Sequence, residues 1–95
     1  MFIVVSYDVV DDRRRTKVHK ALKNFGAPVQ YSVFECQLDE KTLARLQKRL
    51  RQLVDVKEDS VRFYQLCEGC VSKVQVMGVG QVTQLLPYRI VGGKR

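Results

Sequence analysis

The chain has 95 residues, of which 17 are basic and 10 acidic, for a formal charge of +7. A chain of this length forms one core, burying about 60–65% of its unfolded surface, and has no material for two. Hydrophobic residues at 45%, no Trp, 6 Gly and 2 Pro exclude disordered, collagen-like and linker-like chains.

The apolar run Met1–Val5 falls far short of the roughly 18 residues a membrane span needs. It also lacks the basic flank of a signal peptide. A soluble, cytoplasmic domain with no membrane partner is therefore expected. The positive charge favours a polyanionic partner, although solubility alone also accounts for it. Both halves of the chain share the excess, so this is not a neutral domain with a basic tail.

Phe2–Tyr7 is β-branched and aromatic and predicts a central strand. Asp8 follows it. Asp11 and Asp12 then offer N-caps. Val18, Ala21, Leu22 and Phe25 recur at helical spacing and predict a helix over Arg13–Phe25, ended by Gly26 and Pro28. Val29–Tyr31 and Phe34–Leu38 predict two short strands, with a bulge or tight turn near Ser32 and Val33 where the alternation changes phase. Asp39 caps a second helix whose apolar stripe is Leu43, Leu46, Leu50 and Leu53. Val61–Leu66 reads as a further strand, and Val74 and Val76 as another, broken by Gly78 and Gly80. The segment of residues 81–95 is apolar without a helical period, which suggests burial at a dimer or partner interface.

This order predicts a single α+β domain over residues 1–95. It is a ferredoxin-like βαββαβ sandwich with an extra C-terminal strand and both helices on one face of the sheet. The uncovered sheet face argues for a homodimer.

Of the three cysteines, Cys67 and Cys70 form a lone CxxC. One such pair lacks the ligands of a structural zinc site. The expected element is a turn holding two thiols, with a local disulfide or a metal shared between two chains as the alternatives, and the flanking residues do not suggest the helix N-terminus that a redox CxxC uses.

Asp8 is the sharpest candidate for chemistry. A carboxylate at a strand end, beside cations, suits Mg²⁺ near a phosphate; a capping or salt-bridged role is the bland alternative. One carboxylate per chain is a thin metal site, and a two-fold dimer supplies two copies to share one ion. Arg13, Arg14, Arg15, Lys17 and Lys20 form a basic cluster, continued by Lys23 and free of acidic residues. These cations point to phosphate contacts with little sequence reading. His19 among them reads as a surface residue. The second helix is also mainly basic, so the two helices are expected to form one track.

Four segments carry a family resemblance: Ser6-Tyr7-Asp8-Val9, Arg13-Arg14-Arg15-Thr16-Lys17-Val18, Val29-Gln30-Tyr31-Ser32-Val33-Phe34-Glu35-Cys36 and Asp59-Ser60-Val61-Arg62-Phe63-Tyr64. In order and spacing they resemble the second CRISPR-associated core protein family, the small subunit of the spacer-acquisition complex. The resemblance implies a ferredoxin-like homodimer whose C-terminal strands cross onto the partner. It implies a scaffold that holds duplex DNA and bridges dimers of the larger integrase subunit. In some members it also implies metal-dependent endonuclease activity on RNA or double-stranded DNA. By position, Asp8 matches the Mg²⁺-binding carboxylate, and Tyr7, Arg15, Lys17, Ser32 and Phe34 match the motif around it. Pro28 occupies a place that is commonly basic, which weakens the nuclease reading more than the scaffold reading. A toxin-like metal-dependent ribonuclease of the same fold and a non-catalytic nucleic-acid-binding module are the alternatives.

Overall fold

The computed structural model describes residues 1–80, and the expectations for residues 81–95 lie outside them. Strand β1, Phe2–Asp8, is central, with β3 on one side and β4 on the other. Its alternation sorts the side chains. Ile3, Val5 and Tyr7 are buried towards the helices. Phe2, Val4, Ser6 and Asp8 therefore lie on the other face.

Helix α1, Asp12–Leu22, starts at Asp11, whose carboxylate accepts the Arg14 N–H at 2.9 Å. It ends one turn earlier than periodicity alone predicts. Asn24 and Phe25 donate to the carbonyls of Ala21 and Leu22, which tightens the chain out of the α-helix. Phe25 still packs on the core.

Strand β2, Gly26–Gln30, thus begins at the glycine expected only to stop the helix. Gly26 lies opposite Cys36, and a Cβ there would clash with the Cys36 Sγ and stand 2.6 Å from the Glu35 carbonyl. Gly26→Ala is expected to lower stability by about 1–3 kcal/mol through overpacking, read as a lower urea midpoint with unchanged slope. Pro28 fits here because β2 is an edge strand, where a missing N–H breaks no inner ladder. The tight turn expected near Ser32 and Val33 is formed by Tyr31 and Ser32, with Ser32 at a φ of 65°, and a register shift between Pro28 and Gln30 precedes it.

Strand β3, Val33–Gln37, pairs with both β1 and β2. Helix α2, Glu40–Leu53, is capped by Asp39, whose carboxylate accepts the Thr42 N–H at 2.7 Å. Leu46 and Leu50 are buried and Leu43 and Leu53 flank them, as the spacing predicts. Strand β4, Ser60–Leu66, closes an antiparallel sheet of order β2-β3-β1-β4. Val18 and Leu22 of α1 and Leu46 and Leu50 of α2 join Val5, Phe34 and Cys36 in one core, so both helices cover the same sheet face. This is the ferredoxin-like arrangement.

Two expectations fail after β4. The residues around the CxxC form a short helix, α3, Glu68–Val71, with Cys67 at its N-cap position, rather than a plain turn. Val74 and Val76 form no strand. Lys73 and Val74 are instead held by turn hydrogen bonds to Cys70 and Val71, and no ladder partner lies beside them among the described residues.

Candidate nucleic-acid interface and carboxylate site

Asp8 sits at the end of the central strand, exposed, opposite Ser60 of β4. Among the described residues its side chain makes no hydrogen bond or ion pair. Its side chain belongs to the sheet face that no long helix covers. The cation sharing that face is Arg62, which lies opposite Ser6 and so diagonal to Asp8. Arg62 is exposed, and its guanidinium reaches the Tyr64 hydroxyl at 3.4 Å. Sequence reasoning passed over Arg62. The strand alternation that puts it in phase with Asp8 was visible, but the antiparallel register that sets the two side by side was not.

Tyr7, Ser32 and Phe34 do come together, on the opposite side of the sheet from Asp8. The Tyr7 and Phe34 rings are 6.3 Å apart, and the Tyr7 N–H donates to the Ser32 carbonyl at 3.0 Å. Burial pushes the Tyr7 hydroxyl above its ordinary pKa, partly offset by a hydrogen bond with the Ser32 side chain. His19 is not a bare surface residue. Its Nδ1 lies 3.2 Å from the Tyr7 hydroxyl, and its ring meets Phe34 edge-on at 5.2 Å. These residues brace the strand end that presents Asp8, with the Tyr7 and Phe34 rings in the core on the opposite face of the sheet.

The basic cluster divides in two. Arg14 and Arg15 are structural clamps. The Arg14 guanidinium holds Asp59 through Nε at 2.9 Å and Nη2 at 3.2 Å, and Glu58 at 3.3 Å. The Asp59 side chain is fully buried and also accepts the backbone N–H groups of Val10 and Asp55. The hydrogen bond from Arg14 holds the Asp59 carboxyl well below the ordinary carboxylate range, against the opposing effect of desolvation. Arg15 donates to the carbonyls of Val9 and Val10 and pairs with Asp12. Both guanidiniums, expected to face phosphate, are engaged within the chain and brace the loop after β1. Nothing near Asp59 in sequence signals this role, because its partner Arg14 is 45 residues away.

Arg13, Lys17 and Lys20 remain exposed, and no ion pair engages them among the described residues. Helix α2 lies against α1. Lys17 and Lys20 line one side of the groove between them, and Arg45, Lys48 and Arg49 the other. Asn24 and Gln52 complete its polar lining, and no carboxylate enters it. The expected basic track exists, though its cations are these five. The track runs along the outer surface of the helix layer, while Asp8 lies beyond the sheet. The structure therefore places the cationic groove of the helices and Asp8 on opposite sides of the sheet.

No group of three or more His, Cys, Asp or Glu is placed to hold a metal ion among the described residues. No helix among them is long and apolar enough to cross a membrane.

The sheet order and the paired helices define a ferredoxin-like fold, with a basic groove on its helix layer and a carboxylate at the central strand end. Residues 1–74 match the family model described as CRISPR associated protein Cas2. The CRISPR-associated endoribonuclease Cas2 3 of Chloroflexus aurantiacus is 46% identical over 83 residues, covering 87% of this chain and 89% of that protein. The crystal structure of Streptococcus pyogenes Cas2 at pH 6.5 is similar with a TM-score of 0.74 and 35% identity, covering 82% of this chain and 100% of that one. A chain of a partial Cas6-RT-Cas1–Cas2 complex is similar with a TM-score of 0.73 and 27% identity, covering 95% of this chain and 97% of that one. The chain belongs to the Cas2 family of CRISPR-associated proteins.

Proposed function

We propose that this protein is a homodimeric scaffold of CRISPR spacer acquisition that holds duplex DNA and bridges integrase-subunit dimers. The observation that carries the reading is the acid-free groove between α1 and α2, with Lys17, Lys20, Arg45, Lys48 and Arg49 on one surface. Such a surface binds phosphates through charge and reads no bases. Likeness to a chain of a Cas1–Cas2 complex supports the integrase partner. The uncovered sheet face supports the dimer, since it presents Val4, Val33 and the 46% exposed Tyr64.

A second reading is metal-dependent cleavage of RNA or duplex DNA, supported by the relative named an endoribonuclease and by Asp8 standing exposed without a partner. One carboxylate fits half of a Mg²⁺ site, so Asp8 from each of two protomers whose open faces meet would hold the ion. When bound, Mg²⁺ supplies Lewis-acid charge at the phosphodiester. Asp8 would hold the ion, Arg62 would offer a charge-assisted donor to phosphate on the same face, and the core behind Tyr7 fixes the strand end.

The test compares wild type with Asp8→Asn, with and without Mg²⁺, on single-stranded RNA and duplex DNA. Cleavage is expected to vanish in the variant, while sedimentation still shows a dimer and duplex capture is unchanged. Undiminished Mg²⁺-dependent cleavage would overturn the role of Asp8. Loss of duplex capture would overturn the separation of scaffold from chemistry.

A further inference from the structure

The CxxC remains unused by either reading. Cys67 and Cys70 are both exposed, and their Sγ atoms stand 3.4 Å apart. The backbone between them is already closed, because the Cys67 carbonyl accepts the N–H of Cys70 and of Val71, each at 3.0 Å. A disulfide of about 2.0 Å needs the sulfurs to approach by only about 1.4 Å, within reach of small side-chain rotations. We propose that Cys67 and Cys70 are a vicinal dithiol site that closes an intrachain disulfide by exchange with low-molecular-weight disulfides of the glutathione class.

Both thiols are exposed, so either can open the exchange, and the order of steps is the same with the two sulfurs interchanged. Starting from Cys67, the thiolate attacks one sulfur of the small disulfide, breaks the S–S bond and releases one thiolate, leaving a mixed disulfide on Cys67. Cys70 then attacks the Cys67 sulfur, gives up its proton and expels the second small thiol. Two electrons and two protons leave the protein, and the small disulfide becomes two thiols. Cys36 does not compete. It is buried, and desolvation pushes its thiol up to about 12. The ring forms where the chain leaves edge strand β4, so oxidation stiffens the exit from the sheet.

The experiment incubates the full, reduced chain in glutathione buffers of graded GSH:GSSG ratio, alkylates the remaining thiols and maps them by mass spectrometry. Wild type is expected to lose two hydrogens, with Cys67 and Cys70 protected together and Cys36 alkylated only after unfolding. Cys67→Ser and Cys70→Ser are expected to retain a glutathione adduct on the surviving thiol. Independently of any variant, phenylarsine oxide, which bridges paired thiols, is expected to bind wild type at one arsenic per chain. A wild type that holds glutathione adducts without closing the ring, or keeps both thiols free in excess GSSG, overturns the proposal. So does failure to retain the arsenical.

Discussion

Asp59→Ala is expected to lower stability by about 2–3 kcal/mol at pH 7, the cost of stranding several donors around one buried acceptor. The carboxylate joins three parts of the chain: the Arg14 guanidinium on α1, the Val10 N–H after β1 and the Asp55 N–H after α2. Its removal leaves those donors without a shared partner and loosens the loop that follows Asp8. The pH dependence has a definite sign. The folded carboxyl titrates below its ordinary value, so its contribution is complete above the unfolded pKa of about 4 and is lost as pH falls through the depressed folded value. Urea titrations of wild type and Asp59→Asn are therefore expected to differ most at neutral pH and to converge progressively below about pH 4. A gap independent of pH from 7 downwards would show that the charge of Asp59 contributes nothing.

The second large effect concerns the groove. The combined variant Lys17→Ala, Lys20→Ala, Lys48→Ala, Arg49→Ala is expected to bind duplex DNA on the order of 100-fold more weakly at low salt. The log–log salt slope should become shallower by about 3–4, since each phosphate contact carries about 0.9. All four side chains are exposed, so the fold should tolerate their loss. The loss should be nearly uniform across sequences, because phosphate contacts position the duplex without reading it. Arg14→Ala is the informative contrast. It should lower the urea midpoint, because it releases Asp59, and leave the salt slope close to wild type. A normal slope in the combined variant would remove the groove from the DNA path.

Much of the fold was legible locally. Asp11 and Asp39 cap their helices as their positions suggest, and the leucine stripe of α2 and the Val18/Leu22 face of α1 pack as their spacing requires. Both signals are short-range: a cap reaches three residues, and an amphipathic face repeats every turn. The boundaries that failed depend on partners far along the chain. Gly26 looked like a helix stop, yet it is needed where β2 passes Cys36. Val74 and Val76 alternate like a strand, but alternation without a neighbouring ladder makes none.

The candidate sites show the same division. The residues alone determine a basic α+β pattern, with Asp8 at the end of a β-rich run and cations clustered on two helical stretches. Charge, periodicity and capping are properties of composition and near neighbours, and they survive any arrangement of the elements. Only the tertiary structure decided which cations are free. It paired Arg14 with a carboxylate 45 residues away and turned Arg15 onto nearby carbonyls, and it assembled the groove from Lys17, Lys20, Arg45, Lys48 and Arg49. It also set Asp8 beside Arg62 on the far side of the sheet. Those outcomes follow from antiparallel register and helix packing, which bring together residues whose separation in sequence carries no sign of their meeting.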